Sequence, residues 1–483
     1  MTTIFEIEQI GLWWLPDKPD HRVYGTLHLS RDDNGTLELI GGAFGDITST
    51  LQAGPQIIIH GISSDGTYFT LNDCSRIGTR VNALPSEFYQ IGVIYEGYLF
   101  SDESELVFDE IKVHYSNLED WLKEEGFAFN FSQDPETHKT SQLETVCTFP
   151  TKEALSFPNF DLQFSYQYGA KRTLREASLT FSQIAHFKYP DFRSINEIDA
   201  DVVRLRDFIS FGLGRSSHLI SFTLFSSRLA ETIELDEQKH VIPIPIIVHL
   251  PSMISPESVK FIHPDAMLFS WKDISDRFGE IYNLWINRYN ILKPTVHSYF
   301  TALESPSEYS IDRFLSLTTA VESYHRRTHP GMFLLEEDFK SVEATMKEAI
   351  PSHLSSSMKD SIAGRIHYFN EVSQRNRYKE LIETFLSEFG EDSLVLLEDS
   401  KIFIERVLDT RNYYTHFDKR LENKAATGQD LIVLIEKLLF VLDLAFMREI
   451  GFSVDQVITL LKRTSKYDFL KNYRKWNPDH NFP

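Results

Sequence analysis

The feature that most constrains this 483-residue chain is a change of hydrophobic period near Trp271. Before it, short runs rich in β-formers alternate with turn residues. After it, apolar residues recur at helical spacing almost to the end. Tyr24 to Leu29, Thr36 to Ile40, Gln56 to His60, Thr67 to Leu71 and Gly92 to Phe100 read as strands. Asp32-Asp33-Asn34-Gly35 and Ser63-Ser64-Asp65-Gly66 between them carry hairpin-turn chemistry. Short strands at this spacing build a sandwich or a barrel. Beyond Trp271, Phe278, Ile281, Leu284, Trp285, Tyr289 and Leu292 keep a helical period until Pro294 interrupts it. The expected fold class is α+β multidomain: a β-rich, sandwich-like N-terminal half followed by an all-α helical bundle.

Within the front half, Leu118 to Glu125 reads as one short helix, and the polar stretch Ser132 to Gln142 marks a soft boundary. Strands return from Glu144 to about Ser227, notably Phe160 to Gln167, Ala177 to Phe187 and Leu219 to Phe225. His240 to Leu250 is apolar but broken by two prolines, which suits an edge or an irregular extended segment. Helices are expected over Ser310 to Arg327, Glu336 to Ile350, Tyr378 to Phe389, Ser393 to Phe417, Asp430 to Ile450 and Ser453 to Arg463. Ser310 and Ser453 stand at N-cap positions. The expected domains are 1–130 and 140–300, the two parts of the β-rich half, and 305–483, the bundle.

Charge bears on partners. The net charge of −22 argues against sequence-blind coating of nucleic acid. Residues 1–304 hold −18 of it and residues 305–483 only −4, so RNA contact by the bundle stays open. Two cysteines, Cys74 and Cys147, make no disulfide framework, and a reducing, cytoplasmic setting is expected. The N-terminus lacks the pattern of a signal peptide. The most apolar run, Leu431 to Phe446, contains Glu436, Lys437 and Asp443 and reads as a buried helix, not a membrane span.

The stretch with most chemistry is Leu408 to Asp418, late on a helical pattern. At 3.6 residues per turn, Ile404, Val407, Leu408 and Arg411 fall on one stripe, continued by Thr415. Glu405, Asp409, Asn412 and His416 form a second, polar stripe. Arg411 and His416 are thus about 140° apart around the helix. On the apolar stripe Arg411 needs a carboxylate, a phosphate or a subunit boundary, and Glu322 is the expected acidic partner.

Arg411-Asn412-Tyr413-Tyr414-Thr415-His416, an arginine, a polar residue and a histidine near the end of a bundle helix, resembles the motif of the HEPN superfamily. The whole chain resembles the ApeA-type anti-phage proteins, with a β-rich front and a C-terminal HEPN domain. In the front half the likeness rests on Gly11 to Pro16, Gly25-Thr26-Leu27 and Ile59-His60-Gly61. The resemblance implies a metal-independent endoribonuclease acting on RNA as a homodimer, in abortive infection, with no cofactor and a phage-derived trigger. It implies Arg411, Asn412 and His416 as catalytic residues. A 2′-hydroxyl nucleophile needs a group titrating near neutral pH, which a histidine supplies, and a fixed cation on the phosphate, which an arginine supplies. Supporting roles go to Glu322, Asp409 and Tyr414. Related toxins silenced by a partner nucleotidyltransferase carry a tyrosine just after the histidine; here Phe417-Asp418 stands instead.

Further RNA contacts are expected from Arg326 and Arg327 in His325-Arg326-Arg327-Thr328-His329, and from Lys471 and Arg474 in a tail that interleaves cations with aromatics. A solvated helix end and a tail packed on the bundle are the plain alternatives. Trp13 and Trp14 read as core rather than as a carbohydrate platform. No metal set, phosphate loop or GxSxG element is present. The competing function is a non-catalytic β module that binds a ligand or phage protein, with a helical dimerisation domain.

Overall fold

Six strands of the front half close on themselves. They are β1 (Glu6–Trp14), β2 (Val23–Ser30), β3 (Asp33–Ile40), β4 (Ile57–Ser63), β5 (Tyr68–Arg80) and β6 (Ser86–Gln90), all paired antiparallel. The order is β5-β4-β1-β2-β3-β6, and β6 pairs back onto β5. The length of β5 permits closure: Tyr68 to Cys74 pair with β4, whereas Ser75 to Arg80 pair with β6. Of the sandwich and barrel that strand spacing allows, this part is a barrel, which leaves no free edge. The structure is a computed structural model and describes residues 6–30, 33–44, 57–81, 83–123, 126–149, 152–235, 238–305, 309–390 and 400–476. Two compact units divide the chain. The first is Met1–Leu213, Ser217–Pro264 and Phe269–Gly279; the second is Gly214–Ser216, Asp265–Leu268 and Glu280–Pro483.

Alternation fills the barrel. On β2, Val23, Gly25, Leu27 and Leu29 point inward, meeting Leu37, Leu39, Ile59, Leu71 and Cys74. Trp13 is fully buried among them and donates its indole N–H to the Gly25 carbonyl at 3.1 Å. Trp14 is buried as well, with the Arg22 guanidinium 4.4 Å from its ring centroid. Gly61 exists to admit Trp13: a Cβ there would lie 2.2 Å from two carbons of the indole. Gly61→Ala is therefore expected to cost about 1–3 kcal/mol by overpacking, read as a shift in the urea midpoint. Gly279→Ala, where nothing lies within 4 Å, is the control that stays level or gains.

The remaining strands are β7 (Val93–Glu96), β8 (Val107–Tyr115), β9 (Phe127–Gln133), β10 (Thr140–Cys147), β11 (Leu155–Ser156), β12 (Asp161–Arg172), β13 (Ala177–Ser194), β14 (Leu219–Phe225), β15 (Ala230–Leu235), β16 (Gln238–Pro243) and β17 (Ile246–His249). From β5 an open sheet continues in the order β7-β17-β14-β8-β13-β12-β11, while β9–β10 and β15–β16 are separate hairpins. The proline-broken segment divides in two: its first part lies in β16, which among the described residues pairs only with β15 and is an edge, and its second part lies inside the sheet. Pro243 ends β16 and Pro245 precedes β17, so Ile246 to His249 keep their N–H groups for pairing inside the sheet. The front unit also holds α1 (Leu118–Leu122), α2 (Ile195–Leu213) and α3 (Trp271–Ile274). The helix α2 interrupts a stretch expected to be strands; Ile198, Val202, Leu205 and Ile209, all buried, already show its period. Trp121 of α1 is fully buried, with the rings of Phe164, Phe208, Trp271 and Phe278 around it.

The helices that follow are α4 (Phe278–Ile291), α5 (Lys293–Leu303), α6 (Ile311–Thr328), α7 (Glu336–Glu348), α8 (Ser356–His367), α9 (Gln374–Phe389), α10 (Ser400–His416), α11 (Gly428–Glu449), α12 (Val454–Lys462) and α13 (Ser465–Trp476). Ser310 caps α6 by accepting from the Arg313 N–H, and Ser453 forms a capping box with Gln456. The expected start of α10 at Ser393 to Asp399 lies outside the described residues. The helix α11 is central, burying Leu431, Leu434, Ile435, Leu438, Leu442 and Ala445. The basic, aromatic tail is the helix α13, which buries Tyr467, Leu470 and Tyr473 against its own unit. Among the described residues no helix is long and apolar enough to cross a membrane.

Candidate functional site at the end of helix α10

The helix α10 is held by roughly its first three turns. Phe403, Ile404, Val407, Leu408 and Thr410 are buried, and so is Arg406. Arg406 donates to the Lys424 carbonyl and to the Asp430 carboxylate, both at 2.8 Å. Thr410 Oγ1 accepts from the Ala426 N–H at 2.9 Å, and the Tyr414 hydroxyl donates to the Ala426 carbonyl at 3.2 Å. These contacts lash the loop after the helix, and the start of α11, to one face of α10. Tyr414 therefore acts through the backbone of Ala426, and burial raises its hydroxyl pKa.

Past that anchorage the helix emerges. Arg411 and Asn412 are half-buried, and His416 in the last turn is exposed. Arg411 Nη1 lies 3.1 Å from Asn412 Oδ1, and no carboxylate among the described residues pairs with it. The expected partner is engaged elsewhere: Glu322 takes Arg326 at 3.1 Å and the Gln374 amide at 3.2 Å. Both charges reach the buried hydroxyl of Tyr378, whose pKa burial pushes up, with Glu322 adding and Arg411 opposing. They share a neighbourhood without pairing. Asp409 is half-buried, one turn before Asn412.

The helix ends in a short device. Phe417 adopts φ +51°, and its N–H closes on the Tyr413 carbonyl at 2.6 Å. Asp418 then caps the turn Lys419–Leu421 and grips Arg420 at 2.6 Å. Arg420 holds the Asp418 carboxyl down to about 2, with His416 contributing. A histidine in the last turn also sits well against the negative helix end. From 1.5 Å per residue, Arg411 and His416 are about 7.5 Å apart along the axis.

The other expected contacts separate. Arg326 is bound by both Glu322 and Glu371. His325, fully buried, accepts from Arg377 at Nδ1 (3.1 Å) and meets Glu380 at Nε2 (2.7 Å). It is a structural joint between α6 and α9, and burial lowers its pKa. Arg327 is exposed, with no ion pair or hydrogen bond to any described residue. Lys471 is exposed, its Nζ 5.9 Å from the Tyr467 ring. Arg474 lies on α13. Sequence reasoning missed Arg406, whose partner Asp430 lies 24 residues away and leaves no local signal.

A barrel-bearing β unit, followed in sequence by a helical unit with an arginine and histidine at an exposed helix end, is the two-part class to which the chain conforms. A family model described as ApeA N-terminal domain 1 matches residues 8–285, and one described as Apea-like HEPN matches residues 315–456. The chain belongs to the ApeA family, an anti-phage HEPN nuclease family. No curated protein and no solved structure matches it.

Proposed function

We propose that this chain is a cytoplasmic abortive-infection effector, a metal-independent endoribonuclease whose site is shared between two copies of the chain. The carrying observation is that Arg411 and His416 lie together at an exposed helix end and neither is consumed by an ion pair among the described residues. His416 takes the proton of a 2′-hydroxyl as its oxygen attacks phosphorus. The bond to the 5′-oxygen breaks, leaving a cyclic phosphate, and a water molecule returns a proton to that oxygen. Arg411, steadied by Asn412, holds the phosphate oxygens as their charge grows. The 140° between the two side chains suits a site that draws one group from each copy.

Mixing Arg411→Ala with His416→Ala protein, with EDTA present, tests this. Each variant alone is expected to be inert. In an exchanged mixture about half the dimers are mixed and one of their two sites is intact, so activity returns to about a quarter of wild type. No recovery would remove the shared site, and cleavage by either variant alone at the wild-type rate would remove the nuclease reading. The front unit is assigned the sensing of a phage-derived trigger, because β9 and β10 expose Phe129, Phe131 and Leu143. The same face favours the second reading, a non-catalytic β module with a helical dimerisation unit, under which wild type also leaves RNA intact.

A further inference from the structure

A cavity of about 430 Å³ opens in the helical unit, lined by Arg288, Arg327 and Arg448 together with His329 and Glu449. Each arginine stands in the last turn of its helix: Arg288 of α4, Arg327 of α6 and Arg448 of α11. A cation there offsets the dipole of its own helix, which accounts for each arginine singly. It does not account for three of them meeting at one cavity.

Their charge is incompletely answered. Arg288 pairs with Glu449 at 2.8 Å and Arg448 with Glu388 at 2.7 Å. Arg327 has no partner among the described residues. Glu449 is further occupied by the Tyr324 hydroxyl at 2.9 Å. Three cations thus face two carboxylates, in a chain whose net charge is −22. The wall carries no aliphatic side chain and no aromatic ring other than the His329 imidazole, so it offers no apolar surface for an apolar ligand. Guanidinium groups, each with five N–H donors, match phosphate oxygens.

The cavity is not the Arg411–His416 site. Thr410 and Tyr414 are bonded to Ala426, just before α11 begins at Gly428, and Arg448 lies at its other end. Twenty residues of helix rise about 30 Å. We propose that the cavity is a second, sequence-independent phosphate site that grips the backbone of an RNA strand away from the cleaving end of α10. The RNA part of this assignment rests on the function proposed above; the phosphate chemistry stands without it.

The test uses full-length protein carrying His416→Ala, so that RNA survives, and a labelled single-stranded RNA followed by anisotropy between 50 and 200 mM salt. Arg327→Gln is expected to weaken binding about 3- to 10-fold and to lower the salt slope by about 0.7, the loss of one single-strand phosphate contact. Arg327→Lys should keep most of the affinity. Inorganic tripolyphosphate, followed by thermal shift, is the second arm. If Arg327→Gln abolishes its stabilising effect but leaves RNA affinity and slope unchanged, the RNA assignment is overturned in favour of a free phosphorylated ligand. If neither arm responds to Arg327→Gln or to Arg288→Gln with Arg327→Gln, the phosphate site is overturned. Should wild type leave RNA intact while Arg327→Gln still weakens RNA binding, the nuclease reading fails and the site stands.

Discussion

Alanine in place of His416 is expected to slow RNA cleavage by about 10²–10⁴-fold, the usual contribution of a positioned proton-transfer group. The fold should barely register the change. His416 is exposed in the last turn of α10 and makes no hydrogen bond to a described residue, so unfolding in urea should move by no more than about 0.5 kcal/mol. Arg411→Ala should be of the same kind, since its one hydrogen-bond partner among the described residues is its neighbour Asn412. Arg406→Ala supplies the contrast. That guanidinium is buried and ties Lys424 and Asp430 to α10, so its loss lowers stability before it touches chemistry. Equal cleavage rates for His416→Ala and wild type, with both proteins folded, would end the proposal.

The second large effect is one of stability. Asp443 is fully buried in α11, where it accepts from the Tyr299 hydroxyl and from Lys466 Nζ, each at 2.8 Å. Tyr299 lies on α5 and Lys466 on α13, so this carboxylate joins both to the central helix. Lys466→Met leaves the carboxylate uncompensated, and breaking a buried pair from one side costs about 3–5 kcal/mol. The lower end applies, because Lys466 is one-fifth exposed and the tyrosine hydroxyl remains. Asp443→Asn combined with Lys466→Met should recover most of the loss, since no buried charge is then left alone. Urea midpoints for the single and double variants decide it; additive losses would show that the pair is not coupled.

Much of the architecture was legible because periodicity is local. The switch from period two to period 3.6 separated the strands from the helices, and the serine caps marked where α6 and α12 begin. The helix α2 was equally legible at Ile198, Val202, Leu205 and Ile209 but was overshadowed by the strands around it. The exposed end of α10 was not legible. A helical wheel gives the angle of Arg411 but not where along the axis the packing partners stop. The buried face runs through Leu408 and Thr410 and then ends, so the arginine on that stripe is half-exposed, while Arg406, off the stripe, is the buried one.

By itself the sequence determined the residue chemistry and the local conformations: which segments pleat, which coil, and that an arginine and a histidine close one helix. Only the tertiary structure decided which charges are answered. Barrel closure through the two halves of β5, the ion pair of Arg406 with Asp430, and the meeting of Arg288, Arg327 and Arg448 all join residues far apart in the chain. Such pairings depend on where helix and strand ends fall in space, and no spacing along the chain carries that information.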